Sequence, residues 1–149
     1  MSDNEESAIP IPKINPNNFN TYVNQYLTAE NLKDAAITFV IKDANVAGLK
    51  GFLHLPYDCD ISGYSLLADV AGNVVIDIWK AAFAAFPPTV ANTITAAAKP
   101  TLAAAQGVLS TAIGTWTTAL NAGDVVAVNV DSTLTLTEVT VTIFVTKRV

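Results

Sequence analysis

An all-β architecture is predicted here: an antiparallel, jelly-roll-like sandwich preceded by an extended arm and a short helix. Three features carry the prediction. The C-terminal part alternates β-branched and polar residues, as in Val139-Thr-Val-Thr-Ile-Phe-Val-Thr146. Such alternation gives a strand one buried and one wet face. Short apolar runs are separated by Gly, Asn, Asp and Pro, the punctuation of strands and turns. No alternation of strands with long helical patterns is present, which disfavours a parallel sheet.

The chain divides at about residue 33. Residues 1–33 form the arm and short helix, and residues 34–149 form the sandwich domain. Met1–Ser7 is acidic and polar, the reverse of a secretory signal peptide. Prolines 10, 12 and 16 exclude a helix across Ile9–Pro16 and favour an extended path. The arm nevertheless carries Ile9, Ile11 and Ile14, so it is expected to lie on another surface. Phe19, Tyr22, Val23, Tyr26 and Leu27 recur at helical spacing behind Asn17 or Asn18 as a cap. Ile9, Ile11, Ile14, Phe19, Tyr22 and Tyr26 are the candidate partner-binding residues.

In the body, Ala36–Ile41 is the first expected strand and Asp43–Gly48 a turn. Leu49–Leu55 is the second strand, stopped by Pro56, and Cys59–Ala68 the third. Asp69–Asn73 reads as a hairpin-like turn, since Gly72 and Asn73 accept positive φ. Val74–Trp79 is the fourth strand. Lys80–Gln106 reads as an irregular insertion, with one helical turn at Ala81–Phe86 and alanine-rich stretches interrupted by Pro100. Thr111–Leu120 is the fifth strand, Asn121–Gly123 a turn and Asp124–Asp131 the sixth strand. Apolar residues then change phase: Leu134 and Leu136 are even, whereas Val139, Val141, Ile143 and Val145 are odd. A bulge or bend near Thr137–Glu138 reconciles them.

Composition narrows the function classes. Only 14% of the 149 residues are charged and 51% are hydrophobic, against about 25% charged in ordinary soluble domains. A surface so poor in charge favours contact with other protein surfaces. The net charge of −5 argues against nucleic acid as a partner. No apolar run of about 18 residues marks a membrane helix. The expected site of synthesis is the cytoplasm. Cys59 is the sole cysteine, so stability is expected from packing and not from an internal disulfide.

Candidate chemistry is sparse. Asp58-Cys-Asp60 has the outline of a cation-binding D-x-D, or of a solvated turn. Asp77 sits in the apolar run Val74–Trp79, either on the solvent face or paired at an interface. No acid, base or nucleophile is identifiable as its catalytic partner. His54 shares a strand face with Phe52. The Cys59 thiolate is disfavoured by Asp58 and Asp60. Trp79, Trp116, Phe83 and Phe86 are either core and contact residues or a glycan-stacking surface. No catalytic residue, metal ligand or cofactor site is assigned.

Several segments, taken in order, resemble a β-rich module of tailed-bacteriophage virion proteins, among them capsid decoration (cement) proteins and tail-fibre tips. They are Gly51–Tyr57, Gly63–Asp69, Val75–Lys80, Pro87–Ala91, Thr93-Ile94, Lys99–Leu102, Trp116–Thr118 and Gly123–Ser132. The resemblance extends from about Gly51 to Lys147. It implies a virion structural protein, a homotrimer, with no enzymatic activity to carry over. The short Ile/Pro arm suits attachment of a small knob to a shell. A capsid decoration protein on the virion surface, bound to the major capsid protein, is therefore expected. A short receptor-binding tip for a host glycan is the second reading, and a carbohydrate-active enzyme the third.

Overall fold

The structure is a computed structural model and describes residues 33–148. The predicted arm and helix, with Ile9, Ile11, Ile14, Phe19, Tyr22 and Tyr26, lie outside the described residues. The body is all-β and antiparallel. Its strands are β1 (Asp34–Ile41), β2 (Gly48–His54), β3 (Cys59–Ala82), β4 (Thr101–Ser110), β5 (Ala119–Leu120), β6 (Asp124–Leu134) and β7 (Val139–Lys147).

One long strand organises the rest. β3 pairs with β7 along Cys59–Ala68 and with β6 along Asn73–Ala82. β1 lies beyond β7 and β2 beyond β6, giving the order β1-β7-β3-β6-β2. β4 and β5 pair with the opposite edge of β3. The sheet is curled, and a single core draws on both of its halves. Ile37, Leu66, Val141 and Ile143 come from one half, and Ile76, Ile78, Val126 and Val128 from the other. β7 supplies the clearest pattern: Val139, Val141, Ile143 and Val145 are buried, with less buried residues between them.

The expected hairpin at Asp69–Asn73 is absent, and the third and fourth predicted strands are one continuous strand. Its turn-forming residues serve neighbouring strands instead. The Asp69 carboxylate accepts from the Thr137 hydroxyl (2.6 Å) and from the amides of Thr137 and Glu138 (3.1 and 3.0 Å). It thus satisfies backbone donors where β6 gives way to β7. Asn73 Oδ1 accepts from the Ala104 amide at 2.7 Å, where the β3–β4 register shifts. Gly72 is required for close approach: a Cβ there would lie 2.7 Å from the Leu134 carbonyl oxygen.

The phase change predicted near Thr137–Glu138 is an interruption between β6 and β7. Thr135 takes φ 85° there, a costly left-handed backbone for a β-branched residue. Leu134 is exposed, whereas Leu136 is fully buried.

Three further expectations need correction. Thr101–Ser110, expected within the irregular insertion, is strand β4. The helix propensity of its alanines gives way to pairing with β3. Thr111–Leu120, expected as a strand, is strand only at Ala119–Leu120. The helical turn expected at Ala81–Phe86 is a 3₁₀ turn at Phe83–Ala85.

The Asp69 bonds make an acid-sensitive joint. The Thr137 hydroxyl, then the Glu138 amide, hold its carboxyl down at about 2, against about 3.9 for a free Asp. A depressed carboxylate stabilises the fold above its unfolded pKa, and the contribution is lost as pH falls through its folded value. Between about pH 4 and pH 2, stability should therefore decline. Asp69→Asn should flatten that part of the curve, read as urea midpoint against pH. An unchanged acid slope in the variant would show that Asp69 is not the group responsible.

Candidate interaction surface

The outward face of the β2–β6–β3 half is built by register. A bulge between Leu49 and Gly51 leaves Lys50 out of the ladder. As a result Leu49, Phe52 and His54 share one face. They stand opposite Asn129, Ala127 and Val125 of β6, which in turn face Asp77, Trp79 and Ala81 of β3. The chain then returns over this array. Phe86 meets Phe52 edge-on at 4.9 Å between ring centroids, and Phe83 lies 4.9 Å from His54. A second 3₁₀ turn, Val90–Asn92, is held by a capping box between Thr89 and Asn92. It leads to Thr93, which bridges to Trp79.

One end of the array is a closed polar knot. Asp77 is fully buried. Its Oδ1 accepts from Thr93 Oγ1 (2.6 Å) and Thr95 Oγ1 (2.7 Å), and its Oδ2 from Trp79 Nε1 (2.9 Å). Lys99 Nζ stands 3.5 Å from Asp77 Oδ2 and 2.5 Å from Asp131 Oδ2. Asp131 also accepts from Asn129 Nδ2. Burial pushes the Asp77 carboxyl up, but the bonds from Thr93, Trp79 and Thr95, with Lys99 nearby, hold it below the usual carboxylate range. The bond to Asp131 raises the Lys99 ammonium above its usual value, so both ends of the pair stay charged. Asp77 is thus neither solvent-facing nor at a subunit interface, as its sequence context suggested. It fastens the Thr93–Lys99 segment onto the sheet.

The other end is open. Phe83 is 62% exposed, and Phe52 and Phe86 are about half exposed. The four aromatic candidates therefore separate. Phe83 and Phe86 are surface residues. Trp79 and Trp116 are buried, at 8% and 7% exposure. Trp116 stacks on Tyr64 at 5.4 Å and donates to the Ala98 carbonyl at 2.8 Å. Phe52 was the missed member of the surface group. Its alternation with His54 was legible, but the chain's return onto that face was not.

The remaining candidates are dispersed. Asp58 Oδ1 accepts from the Ala122 amide at 2.8 Å, while Asp60 pairs with Arg148 at 2.7 Å. The two carboxylates serve different partners, and no group of three or more His, Cys, Asp or Glu suited to a metal ion occurs among the described residues. Arg148 also donates to the carbonyls of Cys59 and Leu120, tying the end of the body to β3 and β5. Cys59 is buried, and burial raises its thiol pKa, reinforced by Asp60, Asp58 and Asp124 against the opposing Arg148.

Comparison with models of known protein families finds no match, and comparison with curated proteins finds none either.

Proposed function

We propose that this chain is a structural protein of a tailed-phage virion: a capsid decoration protein that binds and stabilises the shell as a homotrimer, without catalysis. The carrying observation is the exposed ring cluster of Phe52, Phe83 and Phe86 on a curled β-body. Exposed apolar patches bordered by uncharged surface favour protein partners. The stretch Ala81–Ala98 next to them contains no Asp, Glu, Lys or Arg. The ordered resemblance of Gly51–Lys147 to phage virion modules supports the same reading. Asp77, the acid that stands out among apolar neighbours, is buried with both oxygens engaged by donors, which supports a structural role for it.

In this reading the arm, with Ile9, Ile11 and Ile14, attaches to the major capsid protein while the β-body stays outward. Apolar burial of the three isoleucines would contribute at roughly 25 cal/mol per Å². Prolines lower the entropy lost on docking. The test is sedimentation of the purified chain with capsids assembled without it. Full-length protein should bind saturably, and deletion of Met1–Pro16 should weaken binding at least tenfold, about 1.4 kcal/mol, with the β-sheet circular dichroism unchanged. Equal binding of the truncated chain would place attachment in the body and overturn the role given to the arm.

A further inference from the structure

Two outward faces of the body, one on each half of the sheet, expose large apolar side chains. The first is the ring cluster on the β2–β6–β3 half. Phe52, Phe83 and Phe86 leave roughly 300 Å² of ring surface in solvent, taking about 200 Å² per phenylalanine at about half exposure. A standard interface buries about 800 Å² per partner, a little over half of it apolar. The rings alone thus supply much of one interface. They also border β2, which ends the sheet with no strand on its outer edge among the described residues. Such an edge is normally covered.

The second face lies on the other half and is defined by register. One row across four strands reads Val40, Thr140, Leu67 and Gly107. The next reads Thr38, Thr142, Ser65 and Leu109. Neither row contains a charge. Leu109 is 73% and Leu67 60% exposed. Leu67 leans over Gly107, whose missing Cβ would lie 3.3 Å from its Cδ2. The Leu66 side chain points the opposite way and is fully buried in the core. Two adjacent leucines therefore serve two different surfaces.

We infer that the ring face of one copy of this chain seats on the Leu67–Leu109 face of a second copy, so that the two faces form a head-to-tail interface. The inference rests on the homotrimer proposed above and assigns the surfaces that would build it. A rotational ring needs two different complementary patches on each subunit, whereas a two-fold contact needs only one. This chain carries two such patches. The charges bordering the second face, Lys42 and Glu138 beside Val40 and Thr140, are paired with each other. The exposed leucines of one face and the rings of the other offer each other an apolar partner surface. In the trimer proposed above, such contacts closed into a ring would leave neither face in solvent.

Light scattering on the full chain at micromolar concentration tests the assignment. Unaltered protein should contain about three chains per particle. Phe83→Asp and Leu109→Asp should each reduce it to one, with the far-ultraviolet circular dichroism unchanged, since both side chains are mostly in solvent. Mixing the two variants in equal amounts should give particles of two chains. Each variant keeps the face that the other has lost, so a single intact interface re-forms and cannot close. Oligomers that survive either substitution would overturn the face assignment while leaving the trimer standing. A single-chain unaltered protein would overturn both. Amide hydrogen exchange on the unaltered chain provides a check that needs no variant. Slowing on assembly should be confined to Gly48–His54, Phe83–Phe86, Ser65–Leu67 and Gly107–Leu109. Slowing confined to other segments would overturn the assignment.

Discussion

Asp77→Asn is expected to destabilise the body by about 2–4 kcal/mol, because it leaves buried donors without acceptors. The carboxylate accepts on both oxygens, from Thr93 and Thr95 on one and Trp79 on the other. Asparagine keeps the shape but replaces one acceptor with an NH₂ donor. That donor would face either the Trp79 N–H or the two hydroxyls. The substitution also removes one of the two carboxylates that pair with Lys99, the other being Asp131. The measurement is urea unfolding followed by tryptophan fluorescence, since Trp79 is itself one of the donors. The unaltered protein should lose this contribution as the pH falls below the ordinary Asp value of about 3.9, because the folded pKa is depressed. Asp77→Asn should not show that loss. A change under about 0.5 kcal/mol, as at an ordinary surface position, would contradict the fastener role.

Trp116→Ala is expected to cost about 3–5 kcal/mol, the usual range for removing a large buried aromatic. Trp116 joins two segments that have little regular structure of their own. Its ring stacks on Tyr64 of β3 with only 9° between planes, and its Nε1 donates to Ala98. The adjacent Thr117 amide donates to the Ile94 carbonyl at 2.8 Å. Trp116→Phe keeps most of the packing but orphans the Ala98 carbonyl, so a smaller loss of about 1–2 kcal/mol should follow. Equal losses for the two substitutions would show that the hydrogen bond, and not the stacking, dominates.

The legibility of the fold followed burial. β7 was readable because one face meets the core and the other does not, so the sequence alternates visibly. β1 was bounded to within two residues for the same reason, whereas β2, none of whose residues is buried, was marked by the turn before it and Pro56 after it. β4 was not readable, because only Leu102 in Thr101–Ser110 is buried. A strand with both faces largely in solvent leaves no period in its sequence. β3 was split in two because Asp69, Gly72 and Asn73 are turn residues by chemistry. Here the same acceptor groups and missing Cβ serve a strand that exchanges one partner for another.

The site was legible in composition but not in arrangement. Asp77 was singled out as an acid among apolar neighbours. Its partners Thr93, Thr95 and Lys99 are 16 to 22 positions away, with no spacing rule to join them. The rings illustrate the same limit. Phe52 and Phe86 meet only because a bulge at Lys50 sets the face and a 3₁₀ turn returns the chain to it.

Binding to purified virion parts decides the functional reading. Capsids and tails, each assembled without this chain, would be incubated separately with the full-length protein and sedimented. Saturable association with capsids, absent from tails, together with increased resistance of the shell to heat, is the result expected of a decoration protein. Association with tails alone, or with neither part but with a host surface glycan, would contradict it and favour the receptor-binding reading.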